Sequence, residues 1–165
     1  MLVAISEQIE NEDEAAVIKD SQGLTPVMFA AKHGYNESLN QLVLQNSNNI
    51  NEEDKNCQTI LMHVLLAENV DYKLAKRLIR KGADVNHVDS NGNTLLIKLV
   101  QNGKNFQKQV EFMLERGALQ HLQDLEGKDA CDYAKANEMA LEMRQFMDCS
   151  IRKKQAHMEE LTNLQ

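Results

Sequence analysis

A six-residue pattern recurs four times in this chain: Asp20-Ser21-Gln22-Gly23-Leu24-Thr25, Asp54-Lys55-Asn56-Cys57-Gln58-Thr59, Asp89-Ser90-Asn91-Gly92-Asn93-Thr94 and Asp124-Leu125-Glu126-Gly127-Lys128-Asp129. The starts lie 34, 35 and 35 residues apart. A fixed period of that length restricts the chain to a row of small supersecondary units, each completed by burying its apolar face on a neighbour. The hexad indicates how each unit begins. An Asp side chain bonds backbone N–H groups just ahead of it and closes a turn. Gly supplies a positive φ, and Thr in the last place caps the N-terminus of a helix. Pro26, directly after Thr25, suits a first helical position, where its missing N–H costs nothing.

Each hexad is followed by a short apolar stretch, a break and a longer amphipathic stretch. The expected helices are residues 26–33 and 37–45 in the first repeat, 60–67 and 71–80 in the second, and 95–101 and 106–115 in the third. The inward stripes are Leu39, Leu42 and Val43, then Leu74, Leu78 and Ile79, then Val110, Met113 and Leu114. Gly34, Gly82 and Gly117 mark breaks or stops. Only 4% of residues are aromatic and none is Trp, so the core must come from aliphatic side chains and 8 Met, a palette for helix packing. An all-α fold is expected.

With these features in place the chain resembles the ankyrin repeats. The likeness is carried by Gly23-Leu24-Thr25-Pro26-Val27-Met28-Phe29-Ala30-Ala31-Lys32-His33-Gly34 and by Leu78-Ile79-Arg80-Lys81-Gly82-Ala83-Asp84-Val85-Asn86, and it extends over residues 20–147. It implies a solenoid of stacked helix-turn-helix units with β-turn fingers. The departures are Thr59-Ile60-Leu61-Met62 and Thr94-Leu95-Leu96-Ile97 in place of the family's Thr-Pro-Leu-His, Val64-Leu65 and Leu99-Val100 in place of paired small residues, and Cys57 in place of the turn Gly. The expected organisation is an N-terminal capping helix and acidic linker over 1–19, repeats over 20–53, 54–88 and 89–123, a degenerate terminal repeat over 124–148, and a helical tail over 149–165.

Nothing in the sequence supplies catalytic machinery. The five His are scattered, no Gly-rich phosphate loop, GxSxG or HExxH is present, and no Cys has an adjacent His to generate a thiolate. No enzyme activity, cofactor or metal is expected. A net charge of −7 argues against nucleic acid as a partner, and Arg152-Lys153-Lys154 is the only tight run of basic residues. Neither a signal peptide nor a membrane span is legible, and no membrane contact is expected. Cys57, Cys131 and Cys149 are odd in number and widely spaced, so free thiols and a cytoplasmic or nuclear location are expected, not secretion.

By the resemblance, the partner is another protein, held on a concave surface of turn tips and short helices. The recognition residues it implies are Ser21, Gln22, Leu24, Lys55, Asn56, Gln58, Ser90, Asn91 and Asn93 on the turns, with Lys32, His33, Leu66, Ala67, Gln101 and Asn102 from the short helices. Leu24 and Leu66 are the expected apolar anchors. Met158, Leu161 and Leu164 step at helical spacing and suggest a second contact from the tail. A scaffold or subunit of a hetero-complex is the expected role. The alternative is a small regulatory inhibitor of a kinase or similar enzyme.

Overall fold

The computed structural model describes residues 19–34, 50–103, 106–137, 147 and 149. The N-terminal cap, the helix expected over 37–45, the run at Arg152 and the tail contacts Met158, Leu161 and Leu164 lie outside the described residues. The described residues hold six helices and no extended strand. They are α1 (Pro26–Lys32), α2 (Ile60–Leu66), α3 (Tyr72–Arg80), α4 (Leu95–Gln101), α5 (Gln107–Leu114) and α6 (Ala130–Ala136). The chain divides into two compact units, Met1–Asp84 and Val85–Gln165.

In the first unit α2 packs on α3 within its repeat and on α1 of the repeat before it. Met28 and Ala31 of α1, Leu61, Met62 and Leu65 of α2, and Leu74, Ala75 and Leu78 of α3 are buried. In the second unit α4 packs on α5 and on α6. Its core is built from Leu95, Leu96, Ile97, Leu99 and Val100 of α4, Val110 and Met113 of α5, and Ala130, Cys131 and Ala134 of α6. Leu114 was expected inward, but it is only half-buried, and Phe112 is buried instead. The inward face of α5 is made by Gln109, Val110, Phe112 and Met113.

The helix starts differ in chemistry. The Thr25 hydroxyl accepts from the Met28 N–H, and that of Thr94 accepts from Ile97 N–H, both at 3.2 Å. Thr59 makes no such bond, and its buried hydroxyl lacks a partner. In the fourth repeat Asp129 replaces the Thr. It accepts from the Asp132 N–H at 2.9 Å, while Asp132 accepts from the Asp129 N–H at 3.2 Å, a reciprocal cap.

Two asparagines tie consecutive repeats within each unit. Asn51 donates to the Gly82 carbonyl at 3.0 Å and accepts from Asp84 N–H at 2.8 Å. Asn86, one repeat later, donates to the Gly117 carbonyl at 3.4 Å and accepts from Leu119 N–H at 2.8 Å. Each side chain thus brackets the glycine stop that ends the long helix of the following repeat.

The expectation of three free thiols fails for two of them. Cys131 on α6 and Cys149 form a disulfide, with Cα atoms 5.5 Å apart, a normal bridging distance. The partners are 18 residues apart in sequence. Met147, two residues before Cys149, is buried. Closing a loop of this length stabilises by about 3 kcal/mol in the chain-entropy account. Cys57 is not disulfide-bonded.

Two outcomes are expected. Leu78→Ala empties a fully buried site and should cost on the order of 2–5 kcal/mol, whereas half-buried Leu114→Ala should cost nearer about 1 kcal/mol. Thermal melts of the two variants check the ranking. Thiol titration in denaturant without reductant should find one reactive thiol, Cys57, and all three after reduction. Three thiols without reductant would mean that the disulfide does not form.

Candidate protein-binding surface

The four turns share one hydrogen-bond circuit, and the Asp that opens each hexad is its centre. One carboxylate oxygen, Oδ1, accepts two backbone N–H groups, from the residues two and four positions on. The donors are Gln22 and Leu24 to Asp20, Asn56 and Gln58 to Asp54, Asn91 and Asn93 to Asp89, and Glu126 and Lys128 to Asp124, all at 2.7–3.0 Å. The backbone carbonyl of the same Asp accepts from the residue three on, which is Gly23, Cys57, Gly92 or Gly127. Those four residues have positive φ, and Cys57 at φ 54° is the one non-glycine among them. A side chain there carries strain that the three glycines avoid.

The other oxygen, Oδ2, faces the short helix. His63 donates from Nε2 to Asp54 at 3.0 Å, Lys98 donates from Nζ to Asp89 at 2.6 Å, and the Tyr133 hydroxyl donates to Asp124 at 2.6 Å. All three donors sit nine residues after their Asp, so each turn is locked to its own helix. Because the carboxylate only accepts, the His63 proton on this contact is on Nε2. Burial opposes ionisation of Asp89. The Lys98 hydrogen bond and the N–H groups of Asn93 and Asn91 outweigh it and hold the carboxyl below its ordinary 3.8. Asp124 is likewise lowered. Desolvation is offset there by the Tyr133 hydroxyl and by backbone donors. The same bond raises the Tyr133 phenol above its ordinary value.

In the first repeat the ninth position holds Phe29, which cannot close the circuit. Its ring is 46% exposed and lies 4.4 Å, centroid to centroid, from the imidazole of His33. In the fourth turn, Leu125 occupies the position that Ser21, Lys55 and Ser90 hold in the others, and it is 80% exposed. The hexad register was a signal for Leu125 at a tip, whereas the spacing of nine that marks Phe29 comes from the Oδ2 contacts of the other three turns. Neither was among the expected recognition residues.

The expected residues fall into distinct surroundings. Ser21, Gln22, Lys55, Asn56, Ser90 and Asn91 are exposed at the turn tips, and Gln58 and Asn93 are half-buried beneath them. Lys32, His33, Gln101 and Asn102 are exposed at the ends of α1 and α4, and Leu66 is half-buried at the end of α2. Leu24 is only 5% exposed and Ala67 is also buried, so neither side chain is offered to a partner. Leu24 points inward because its backbone N–H and carbonyl both bond Asp20, which turns the side chain under the hairpin.

Within the first unit, adjacent tips are bonded to each other: Lys55 N–H donates to the Gln22 carbonyl at 3.0 Å. A Cβ built on Gly23 would come within 2.8 Å of that Lys55 nitrogen, so the close approach requires glycine. In the second unit Leu125 N–H donates to the Asn91 carbonyl at 3.3 Å, and a Cβ on Gly92 would come within 3.0 Å of the Leu125 nitrogen. Gln101 donates to the Asn93 side-chain carbonyl at 3.2 Å, joining a turn residue to the short helix below it. Among the described residues there is no cluster of three or more metal-ligating side chains, and no helix is long and apolar enough to cross a membrane.

Comparison with known proteins agrees with this geometry. The family description "Ankyrin repeats (3 copies)" matches residues 27–124. A putative ankyrin repeat-containing protein of Treponema pallidum (strain Nichols) is 29% identical over 121 residues, covering 73% of this chain and 39% of that protein. Inversin of Homo sapiens is 33% identical over 116 residues, or 70% of this chain and 10% of inversin. Inversin of Gallus gallus is 36% identical over 101 residues, or 61% of this chain and 9% of inversin. The chain belongs to the ankyrin-repeat family, and its repeats are of a kind that serves as a protein–protein interaction module. It spans well under half the length of these relatives.

The turn circuits predict how acid acts on the fold. A carboxyl held below its ordinary value contributes stability that is present above that value and is lost as pH falls through it toward the folded value. Stability should therefore decline below about pH 4, where unfolded Asp begins to take up protons. Lys98→Met removes the main group opposing the burial of Asp89, and Tyr133→Phe does the same for Asp124. Both should raise the midpoint of acid unfolding followed by circular dichroism. A midpoint unmoved in both would show that these contacts do not hold the charge.

Proposed function

We propose that this chain is a non-enzymatic scaffold or structural subunit of a larger protein assembly, and that each unit offers its turn tips and short-helix ends to a partner protein. The observation that carries the reading is the exposure of Phe29 and Leu125 on a backbone fixed by the aspartate circuits. Large apolar side chains on a rigid, otherwise amide- and hydroxyl-rich surface are the usual anchors of a protein interface. Ser21, Gln22, Lys32, His33, Lys55, Asn56 and Gln58 accompany Phe29 in the first unit, with Leu66 at its edge. Ser90, Asn91, Asn93, Gln101 and Asn102 accompany Leu125 in the second. These groups favour hydrogen-bonded recognition over charge steering. The proposed location is the cytoplasm or nucleus. Since Cys131 and Cys149 are paired, free thiols no longer argue for it.

The test is recovery of the tagged chain under native conditions, followed by sizing of what comes with it. A complex of fixed stoichiometry supports the subunit reading. Recovery of an enzyme whose activity the chain suppresses in passing contact would favour the regulatory-inhibitor alternative. With the recovered partner in hand, Phe29→Ala and Leu125→Ala should each weaken binding by about 2 kcal/mol while leaving the melting temperature nearly unchanged. Unaltered affinity in both variants would remove the anchors proposed here.

A further inference from the structure

We propose that the solvent face of α3 is a docking site for a short Asp/Glu-rich peptide segment of a partner protein, independent of the turn-tip surface. The helix reads Tyr72-Lys73-Leu74-Ala75-Lys76-Arg77-Leu78-Ile79-Arg80, so four of the chain's 18 basic residues fall within nine positions and no carboxylate falls between them. Leu74, Ala75 and Leu78 are fully buried, which fixes the rotation of the helix. Lys73, Lys76 and Arg80 are thereby held outward at spacings of three and four, one above another on a single face.

Among the described residues no carboxylate pairs with Lys73, Lys76 or Arg80. An open groove of about 450 Å³ runs beside them, lined by Asp71, Lys73, Lys76, Arg77 and Arg80. Its one carboxylate, Asp71, is already engaged as the helix cap, accepting from Lys73 N–H at 2.9 Å and from Leu74 N–H at 3.0 Å. Helix stabilisation explains part of this pattern. Arg77 and Arg80 lie in the last turn, where cations complement the negative end of the helix dipole. It does not explain Lys73, a cation in the first turn, where the dipole disfavours positive charge.

Charge selects the occupant. The chain as a whole carries −7, so this face is a local positive field on an acidic protein. From Lys73 to Arg80 the helix rises about 10 Å at about 1.5 Å per residue. That is the reach of about three residues of extended peptide. A duplex or a bilayer would extend its negative charge far past the patch and over the acidic remainder of the surface.

The experiment uses the full chain and a short fluorescein-labelled Glu/Asp-rich peptide, read by fluorescence anisotropy. One-to-one binding that weakens with added salt is expected. The triple variant Lys73→Glu, Lys76→Glu, Arg80→Glu should bind at least about tenfold more weakly, a difference of about 1.4 kcal/mol. The neutral Gln triple variant should fall between, and Lys108→Glu, a reversal at another exposed position on α5, should bind like the parent. Circular dichroism melts confirm that each variant is folded. If the charge-reversed triple fails to fold, the neutral triple set against Lys108→Glu decides. The proposal is overturned if the acidic peptide does not bind, or if Lys108→Glu weakens binding as much as the α3 variants do. It is also overturned if duplex DNA or phosphatidylserine vesicles bind more tightly than the peptide with the same dependence on Lys73, Lys76 and Arg80. None of these readouts depends on Phe29 or Leu125, so the turn-tip reading stands or falls separately.

Discussion

Each repeat depends on the carboxylate of one turn aspartate. A helix of seven to nine residues is far below the length that is stable alone in water. Its start must therefore be fixed from outside. Oδ1 of the aspartate gathers two backbone donors in all four turns, and in three of them Oδ2 also takes a donor from the helix that follows. Two of these carboxylates, Asp89 and Asp124, hold their charge against the cost of burial because their donors are already in place. A preorganised turn of this kind leaves little for a partner to order on binding.

Fixed turns allow close stacking. Adjacent tips approach near enough to share backbone hydrogen bonds only because Gly23 and Gly92 lack a Cβ. At the other end of each repeat, Asn51 and Asn86 satisfy the carbonyl and N–H groups left around a helix-ending glycine. Between these polar ties lies the aliphatic core of each unit. The repeats are thus specified polar at both ends and apolar in the middle, which keeps their register without a long-range sheet.

The periodic features were legible because they are local. The hexad predicted turn, cap and helix start from neighbouring residues, and α1, α2 and α4 begin where it placed them. What was illegible depends on side-chain direction or on the distant path of the chain. Leu24 reads as a tip residue in sequence, yet its own hydrogen bonds to Asp20 turn it inward. Cys131 and Cys149 have no motif spacing, and their separation of 18 residues carries no local signal of pairing. The basic face of α3 is not a run in the sequence, because Lys73, Lys76 and Arg80 become neighbours only through the helical period. Phe112 is buried and Leu114 only half-buried on α5, a choice between apolar side chains that the apolar pattern alone does not fix.

The same circuit points to where the regularity was given up. The position nine residues after the turn aspartate is His63, Lys98 and Tyr133 in three repeats, chemically unlike residues that share one task, donation to Oδ2. Any donor of the right reach suffices, so a donor was readily available to the first repeat as well. Phe29 stands there instead, partly exposed against His33, and among the described residues Asp20 has only its backbone donors. An apolar ring gains little stability from a half-solvated site, and the turn loses a tie that its three counterparts keep. A local departure that costs stability without repairing anything in the fold is the kind expected of a residue retained for contact with another molecule. That is why Phe29 carries more weight in the proposed interface than the turn-tip amides around it.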